Sequence, residues 1–375
     1  LTSNMSIEIA YIGNKGTHTF NTDGPSYNIN AAAVGGGTNI IACPTATTCA
    51  PSGFVPTVAQ AARRPFFDAF SYPGFSFTDI SGVVHPTPAC CAVDLTYFGN
   101  DASSNYEALQ MKVERRFSHG LQFLAHYTYG HSNAYNSNYY SVTPKLAYGP
   151  DQYNRRNVFV ISTVYELPVG KGKSFLGNAN RLEDLLIGGW QITNTLNYSS
   201  GLPWTASIGE CGLIEDTGPC RPDLVKGQSF SVGPKKINGQ WYDFTPVAPL
   251  TYNVGPANAG VDSCTLARPT SGAFALPACG AIGNAGFDTF FGPRGFFSDM
   301  ALSKSFGITE RIKAQFRFDA FNVFNHPVLG FNSNQGNTCI DCGGNAGQIT
   351  DIEADSSPGS PTGMRQLQFG LRVTF

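Results

Sequence analysis

Apolar side chains return at every second position in eight segments of this chain, with polar residues filling most positions between them. The pattern is cleanest over 364–375. There Leu367, Phe369, Leu371, Val373 and Phe375 share one parity, and Gln366, Gln368, Gly370, Arg372 and Thr374 share the other. Successive side chains of a strand point to opposite faces, so such a segment makes a ribbon with one apolar and one polar side. The first segment, near 4–13, sets Met5, Ile7, Ile9 and Tyr11 on one face, like a strand already under way. Segments 106–117 and 121–130 flank Ser118-His119-Gly120, a tight turn in which Gly supplies positive φ. In the first of these, Leu109, Met111, Val113 and Phe117 oppose Gln110, Lys112, Glu114 and Arg116; in the second, Leu121, Phe123, Ala125, Tyr127 and Tyr129 form the apolar side. Strands are also expected over 157–167 and 190–200, and over 298–308 and 312–324 on either side of Thr309–Arg311.

Each segment approaches the about 9–11 residues that a tilted strand needs to cross a bilayer. The connections alternate in length. Those at 118–120 and 309–311 are minimal, whereas 14–103, 131–155, 202–292 and 326–363 far exceed the usual loop of about 4–6 residues. Short turns on one rim and long loops on the other are the pattern of periplasmic turns and extracellular loops in membrane barrels. The stretch 169–189 departs from this rule, being long where a short turn is due, and has room for a short helix around 182–187.

Composition agrees with strands rather than helices in a membrane. Charged residues are 13% and aromatics 13% of the 375 residues, against about a quarter charged in soluble domains. Mean hydropathy is −0.12, and no apolar run approaches the about 20 residues of a membrane helix. A barrel removes the tension, because only alternate residues face lipid. The expected fold is all-β: an antiparallel transmembrane barrel with long outer loops. A net charge of −2 gives no basic surface for nucleic acid. Leu1 is not an initiator Met and no leader follows, so 1–375 reads as the C-terminal part of a longer barrel protein. Three residues strain the apolar parity. Lys304 and Arg115 lie near the short-turn rim, where a long side chain can snorkel. Asn194, between Ile192 and Leu196, suggests a local bulge or an inner-face register.

Candidate chemistry is sparse. The 10 cysteines all fall in the long connections. Their spacing suggests local disulfides Cys43–Cys49, Cys211–Cys220, Cys264–Cys279 and Cys339–Cys342, leaving adjacent Cys90 and Cys91 without an assigned connectivity. The CxxC at Cys339 and Cys342 has no second pair at zinc spacing, so disulfides are favoured over metal. Val169-Gly170-Lys171-Gly172-Lys173-Ser174 ends like a phosphate-binding loop, but Leu167 stands where the first Gly is required, and a basic turn is expected. The 6 histidines are scattered; His126 falls on the polar parity and His119 in a turn. The pairs Glu183-Asp184 and Glu215-Asp216 lack an acid–base partner. No catalytic, cofactor or metal site is expected, and the protein is not expected to be an enzyme.

The alternating end at Leu367, Phe369, Leu371, Val373 and the terminal Phe375 resembles the signal read by the barrel-assembly machinery. The chain as a whole resembles the C-terminal barrel region of TonB-dependent receptors, in particular the Oar-like group often preceded by a carboxypeptidase-regulatory-like domain. The matching stretches are YIGNKGTH from Tyr11, NYEALQMKVERRFSHGLQFLAHYTYG from Asn105 and GGWQITNTLNYSSGLPW from Gly188, then GPRGFFSDMALSKSF from Gly292 and ITERIKAQFRFDAFNVFNHP from Ile308 with the terminal strand. That resemblance implies a barrel of about 22 strands with a lumen closed by an N-terminal plug. It implies coupling to the TonB system, a large scarce substrate, and a place in the outer membrane of a Gram-negative bacterium. The eight segments here would be the C-terminal part of that wall. Tyr135 and its neighbours over 135–140, Trp204 and Trp241 are candidates to stack on sugars, with packing or an interfacial girdle as the simpler role. Two other readings stay open: a complete eight-stranded barrel with a structural or adhesion role, and a secreted, disulfide-rich β-sandwich that binds ligands.

Overall fold

The computed structural model describes residues 3–19, 26–28, 71–78, 84–88, 96–100, 102–135, 144–208, 221–226, 274–275, 277, 283–308, 311–326, 328–330, 338, 351–352 and 363–375. All eight predicted strands are present: β1 (Met5–Thr19), β2 (Ala102–Ser118), β3 (Leu121–Tyr135), β4 (Asn157–Glu166), β5 (Trp190–Ser199), β6 (Gly295–Gly307), β7 (Lys313–Phe321) and β8 (Gln366–Thr374). They form one sheet in chain order with antiparallel pairing throughout, and a short strand at Tyr148–Pro150 adds to the end of β3. Among the described residues no ladder joins β1 to β8, so each has one unpaired edge.

The register is what gives the sheet two different sides. Ile7 pairs with Val113, Val113 with Ala125, Ala125 with Ile161 and Ile161 with Leu196, so one apolar row crosses five strands. Toward the long loops, Tyr127, Phe159, Tyr198 and Phe296 stand side by side on four strands. Toward the short turns, Phe123, Tyr165, Trp190 and Phe316 share the same face. An apolar band between two aromatic girdles is the outer surface of a membrane barrel. The side chains on it are bare: Ile9 is 64% exposed, and Phe369 and Leu371 are 69% and 70% exposed.

The rows are also staggered. Leu121, beside the first hairpin turn, shares a row with Tyr165, Ile192 and Leu302, five residues before β6 ends at Gly307. At about 3.3 Å per residue and about 4.8 Å per strand, that stagger inclines the strands by roughly 45–50°. Tilted membrane strands lie at about 45°.

Two expectations about the turns are refined. Ser118 pairs with Leu121, so the first hairpin loop is the two residues His119 and Gly120, with φ of 53° and 78°. Two positive φ values give the type I′ geometry that matches the twist of a hairpin. His119, as well as the glycine, therefore adopts the left-handed region. The stretch 169–189 does carry a helix, α1 (Arg181–Ile187). Asn180 caps it by accepting from the Leu182 and Glu183 amides, and the Glu183 carboxylate accepts from the Asn180 amide, a complete capping box.

Charge on the apolar face should be tolerated only where lipid is absent. Leu196→Arg, at mid-height of β5, is expected to weaken folding of the protein into phospholipid vesicles by about 2–4 kcal/mol. Thr195→Arg places the same charge on the opposite face, beside Asp299 across the ladder, and should change it by less than about 1 kcal/mol. Denaturant titrations of the two reconstituted variants check the sign and the asymmetry.

Candidate functional site

The face opposite the lipid-exposed band is polar over most of its area. Glu8, directly across the ladder from Lys112, accepts from its ammonium at 3.1 Å, and Glu114 lies 3.3 Å from the same group. His126 stands opposite Lys112 on the next strand, on the side expected for it. Arg317 Nε reaches both Asp319 oxygens at 2.8 and 3.0 Å, and Arg372 pairs with Gln315 in the neighbouring register. Such a surface suits water and polar solute. One strand breaks the rule. β4 carries Val158, Val160 and Val164 on this face and Phe159 and Ile161 on the other, with Leu124 of β3 beside it.

The polar residues on the apolar parity each have a local solution. Asn194 sits in an unbroken register between β4 and β6, so neither a bulge nor an inner-face register accounts for it. Its Nδ2 donates to Ser298 Oγ at 2.6 Å and to the Asp299 carbonyl at 3.0 Å. A polar amide in hydrocarbon is tolerated when its donors are met within the protein. Arg115 stays at the short-turn rim, its guanidinium 3.5 Å from the Ser118 carbonyl. Lys304 does not snorkel outward: it is buried, its ammonium donates to the Gly188 carbonyl, and it lies 5.1 Å from the centre of the Trp190 ring.

At the long-loop rim the chain folds back into a small ledge. Pro203–Trp204 pairs with Phe290–Phe291, and Asp223–Leu224 with Phe274–Ala275. The Trp204 and Phe290 rings lie 5.0 Å apart, and Phe274 meets Phe290 edge-on at 5.5 Å. Trp204, Phe274, Phe287 and Phe290 are buried together with Arg221 and Asp288. Thr205 Oγ1 donates to Asp288 Oδ1 and accepts from the Asp288 amide, both at 2.8 Å. Arg156 stacks on Phe291 at 4.9 Å, and Arg155 donates to Ser199 Oγ and the Ser200 carbonyl, tying the ledge to the ends of β4 and β5. Gly201 packs against the Gly292 backbone so closely that a β-carbon would collide with it. Trp204 is therefore a packing residue in this arrangement rather than an open stacking platform. Tyr135 packs on Tyr148 at 5.1 Å. Residues 136–140 and Trp241 lie outside the described residues, as do all 10 cysteines, including Cys43, Cys49, Cys211, Cys220, Cys264, Cys279, Cys339 and Cys342.

One feature of the long-loop rim was not legible as a function in the sequence. Asn322 and Asn325, just after β7, have φ of 48° and 51°, a conformation that Asn tolerates better than most residues. Asn322 is fully buried. Its backbone N–H donates to Asp299 Oδ1 of β6 at 2.8 Å, its Oδ1 accepts from the His326 amide at 3.1 Å, and its Nδ2 donates to the Gly363 carbonyl at 2.7 Å. Asn325 Oδ1 accepts from the Arg365 amide at 2.9 Å. Together the two asparagines clasp the top of β6 and β7 to the entry of β8. The terminal residues Leu367, Phe369, Leu371 and Val373 then run down the edge with their side chains exposed, in register with Ala320, Phe318, Phe316 and Ala314, and Phe375 follows at the short-turn rim.

The acidic pair Glu183-Asp184 and the glycines around Lys171 are also spoken for, while Glu215-Asp216 lies outside the described residues. Asp184 Oδ1 accepts from the Lys171 amide at 2.7 Å, and the Gly172 amide donates to the Gly177 carbonyl at 3.0 Å. The backbone donors of this basic turn thus bond within the chain.

Asn322→Ala removes three side-chain hydrogen bonds, to the Gly363 carbonyl and to the His326 amide and carbonyl, at a left-handed position and should cost about 2–3 kcal/mol. The loss should be local. Hydrogen exchange by mass spectrometry should show faster exchange over 363–370 with β2 and β3 unchanged.

The family described as outer membrane beta barrel domain matches residues 1–368. No curated protein matches the chain, and no solved structure does.

Proposed function

The chain belongs to the outer membrane beta barrel domain family and so lies in the outer membrane, and from that premise we propose that it forms part of the wall of a TonB-dependent receptor of the Oar-like group. The observation that carries this reading is the pair of unpaired edges. β1 and β8 each present a free row of backbone donors and acceptors among the described residues, on a tilted sheet with an apolar band. Backbone polar groups facing lipid must be paired, so more strands are needed to complete the wall. Residues 1–375 are then one part of the wall of a barrel of about 22 strands.

Three further features support the assignment. The stretches AFNVFNHP and RQLQFGLRVTF resemble that group, and the first now has a structural reason in the Asn322 clasp. The valines on the inner face of β4 suit contact with protein in the lumen, as a plug would provide. The long-loop rim, taken as extracellular, carries a folded ledge beside the ends of β4 and β5, as the rim of a receptor mouth would. In this reading the wall guides a large substrate, energy enters through the TonB system, and the terminal strand is the part recognised by the barrel-assembly machinery. The outer loops are stapled by disulfides at Cys43–Cys49, Cys211–Cys220, Cys264–Cys279 and Cys339–Cys342. The chain performs no catalysis and holds no cofactor.

The coding sequence upstream of Leu1 tests the transporter assignment. A plug domain and further strand repeats are expected there; an upstream region with neither would overturn it in favour of a small structural barrel. The disulfide assignment has its own check. Alkylation of the folded protein without reductant should leave those eight cysteines unlabelled, and labelling of any pair removes that staple.

A further inference from the structure

The helix at the short-turn rim is inside out for a helix in water. Leu182, Leu185 and Leu186 occupy the i, i+3, i+4 positions of one face of α1, and that face is exposed, with Leu182 and Leu186 73% and 72% open. Asp184 faces the protein instead. Its carboxylate accepts from the Lys171 amide, and the backbones of Gly170 and Gly188 come so close that a β-carbon on Gly188 would strike the Asp184 side chain. A helix on a soluble protein turns its leucines inward and its acids outward. Here the capping box, the Asp184 contact and the glycines fix the opposite orientation.

The position of α1 says what covers the leucines. Trp190 and Lys304 both lie on the apolar parity of the wall, in register with each other. Trp190 Nε1 donates to the Leu186 carbonyl at 3.1 Å, and Lys304 donates to the Gly188 carbonyl at the helix C-terminus. Those two bonds place the end of α1 on the lipid side of the sheet, directly below Ile192 and Leu302 of the apolar band. The exposed leucines therefore continue a surface already covered by lipid. Lys171 and Arg181 are exposed on the same connection, where cations meet headgroup phosphates.

We propose that α1 is an in-plane anchor, with Leu182, Leu185 and Leu186 seated in the phospholipid leaflet on the short-turn side of the wall. This rests on the membrane reading of the apolar face. Lys304 and Trp190 act as the strut that holds the helix at the interface. The long 169–189 connection is then a membrane-contacting element rather than an oversized turn, and it meets phospholipid at the height of the lower aromatic girdle.

Site-specific photocrosslinking in the full-length protein in its outer membrane tests the proposal. A photoreactive phenylalanine analogue is placed singly at Leu182, Leu186, Phe369 and Gln368, and each variant is first checked for heat-modifiable migration as a folded barrel. Phospholipid adducts at Leu182 and Leu186 should match those at Phe369 and exceed those at Gln368 several-fold. Adducts to a protein at Leu182 or Leu186, or a lipid yield as low as at Gln368, would overturn the anchor. Low lipid yield at Phe369 itself would instead overturn the lipid-facing assignment of the wall, so the two failures are distinguishable.

Discussion

Backbone hydrogen bonding in register is the constraint on which the other features of this molecule depend. A bilayer offers no partner for an amide or a carbonyl, so every strand that enters it must be matched by neighbours along its length. Because side chains alternate, a slip of one residue between any two strands would turn a whole apolar set toward water. The seven long ladders avoid that slip. Ile7, Val113, Ala125, Ile161 and Leu196 meet in one row, and Tyr127, Phe159, Tyr198 and Phe296 in another. The same register produces the stagger that tilts the strands, so lipid face, girdles and inclination follow from a single pairing scheme.

Polar residues that break the alternation are tolerated where the ladder itself supplies a partner. Asn194 reaches diagonally to Ser298 and to a carbonyl of the adjacent strand, which meets its amide donors without any change of register. Lys304 is met by the end of a helix that folds under the sheet. The helix terminus offers carbonyls with no intrahelical partner, and a cation there is favoured by the peptide dipoles. Neither residue is an error in the pattern; each marks a place where something crosses between strands or folds back against them.

The positions of the strands, and the facing of most of them, were legible from alternation, because lipid on one side and water on the other select opposite chemistry at successive positions; β4, apolar on both faces, is the exception. The ends were not. β1 runs on from Gly13 to Thr19, and β3 from Gly130 to Tyr135, through residues with no apolar alternation. Above the upper girdle there is no lipid to impose the period, while backbone pairing continues; Gly16 still faces Ser104 and Asn133 still faces Asn105. The clasp at Asn322 was hidden for a related reason. Two asparagines three residues apart signal a turn, but their partners at Asp299, Gly363 and Arg365 are set by the sheet and not by neighbours in the chain. Trp204 illustrates the converse. Packing was already the simpler role for this residue, but only the fold of the ledge shows its partners, bringing Phe290 and Phe274 over to bury it.

Whether an exposed leucine is a defect depends on the solvent it is exposed to, and this chain applies that rule twice. On the wall, Ile9, Phe369 and Leu371 are bare because hydrocarbon lies beside them. On α1 the same logic inverts a whole helix, leaving its leucines out and Asp184 in. A seven-residue helix has little stability of its own, so its orientation is set by the bonds at its two ends: Asn180 and Glu183 at the start, Trp190 and Lys304 at the finish. Both finishing residues belong to strands whose register is already fixed by the membrane. The orientation of the helix is thus inherited from the pairing of β5 with β6, which is why the longest departure from the short-turn rule still presents an apolar surface on the side where the wall presents one.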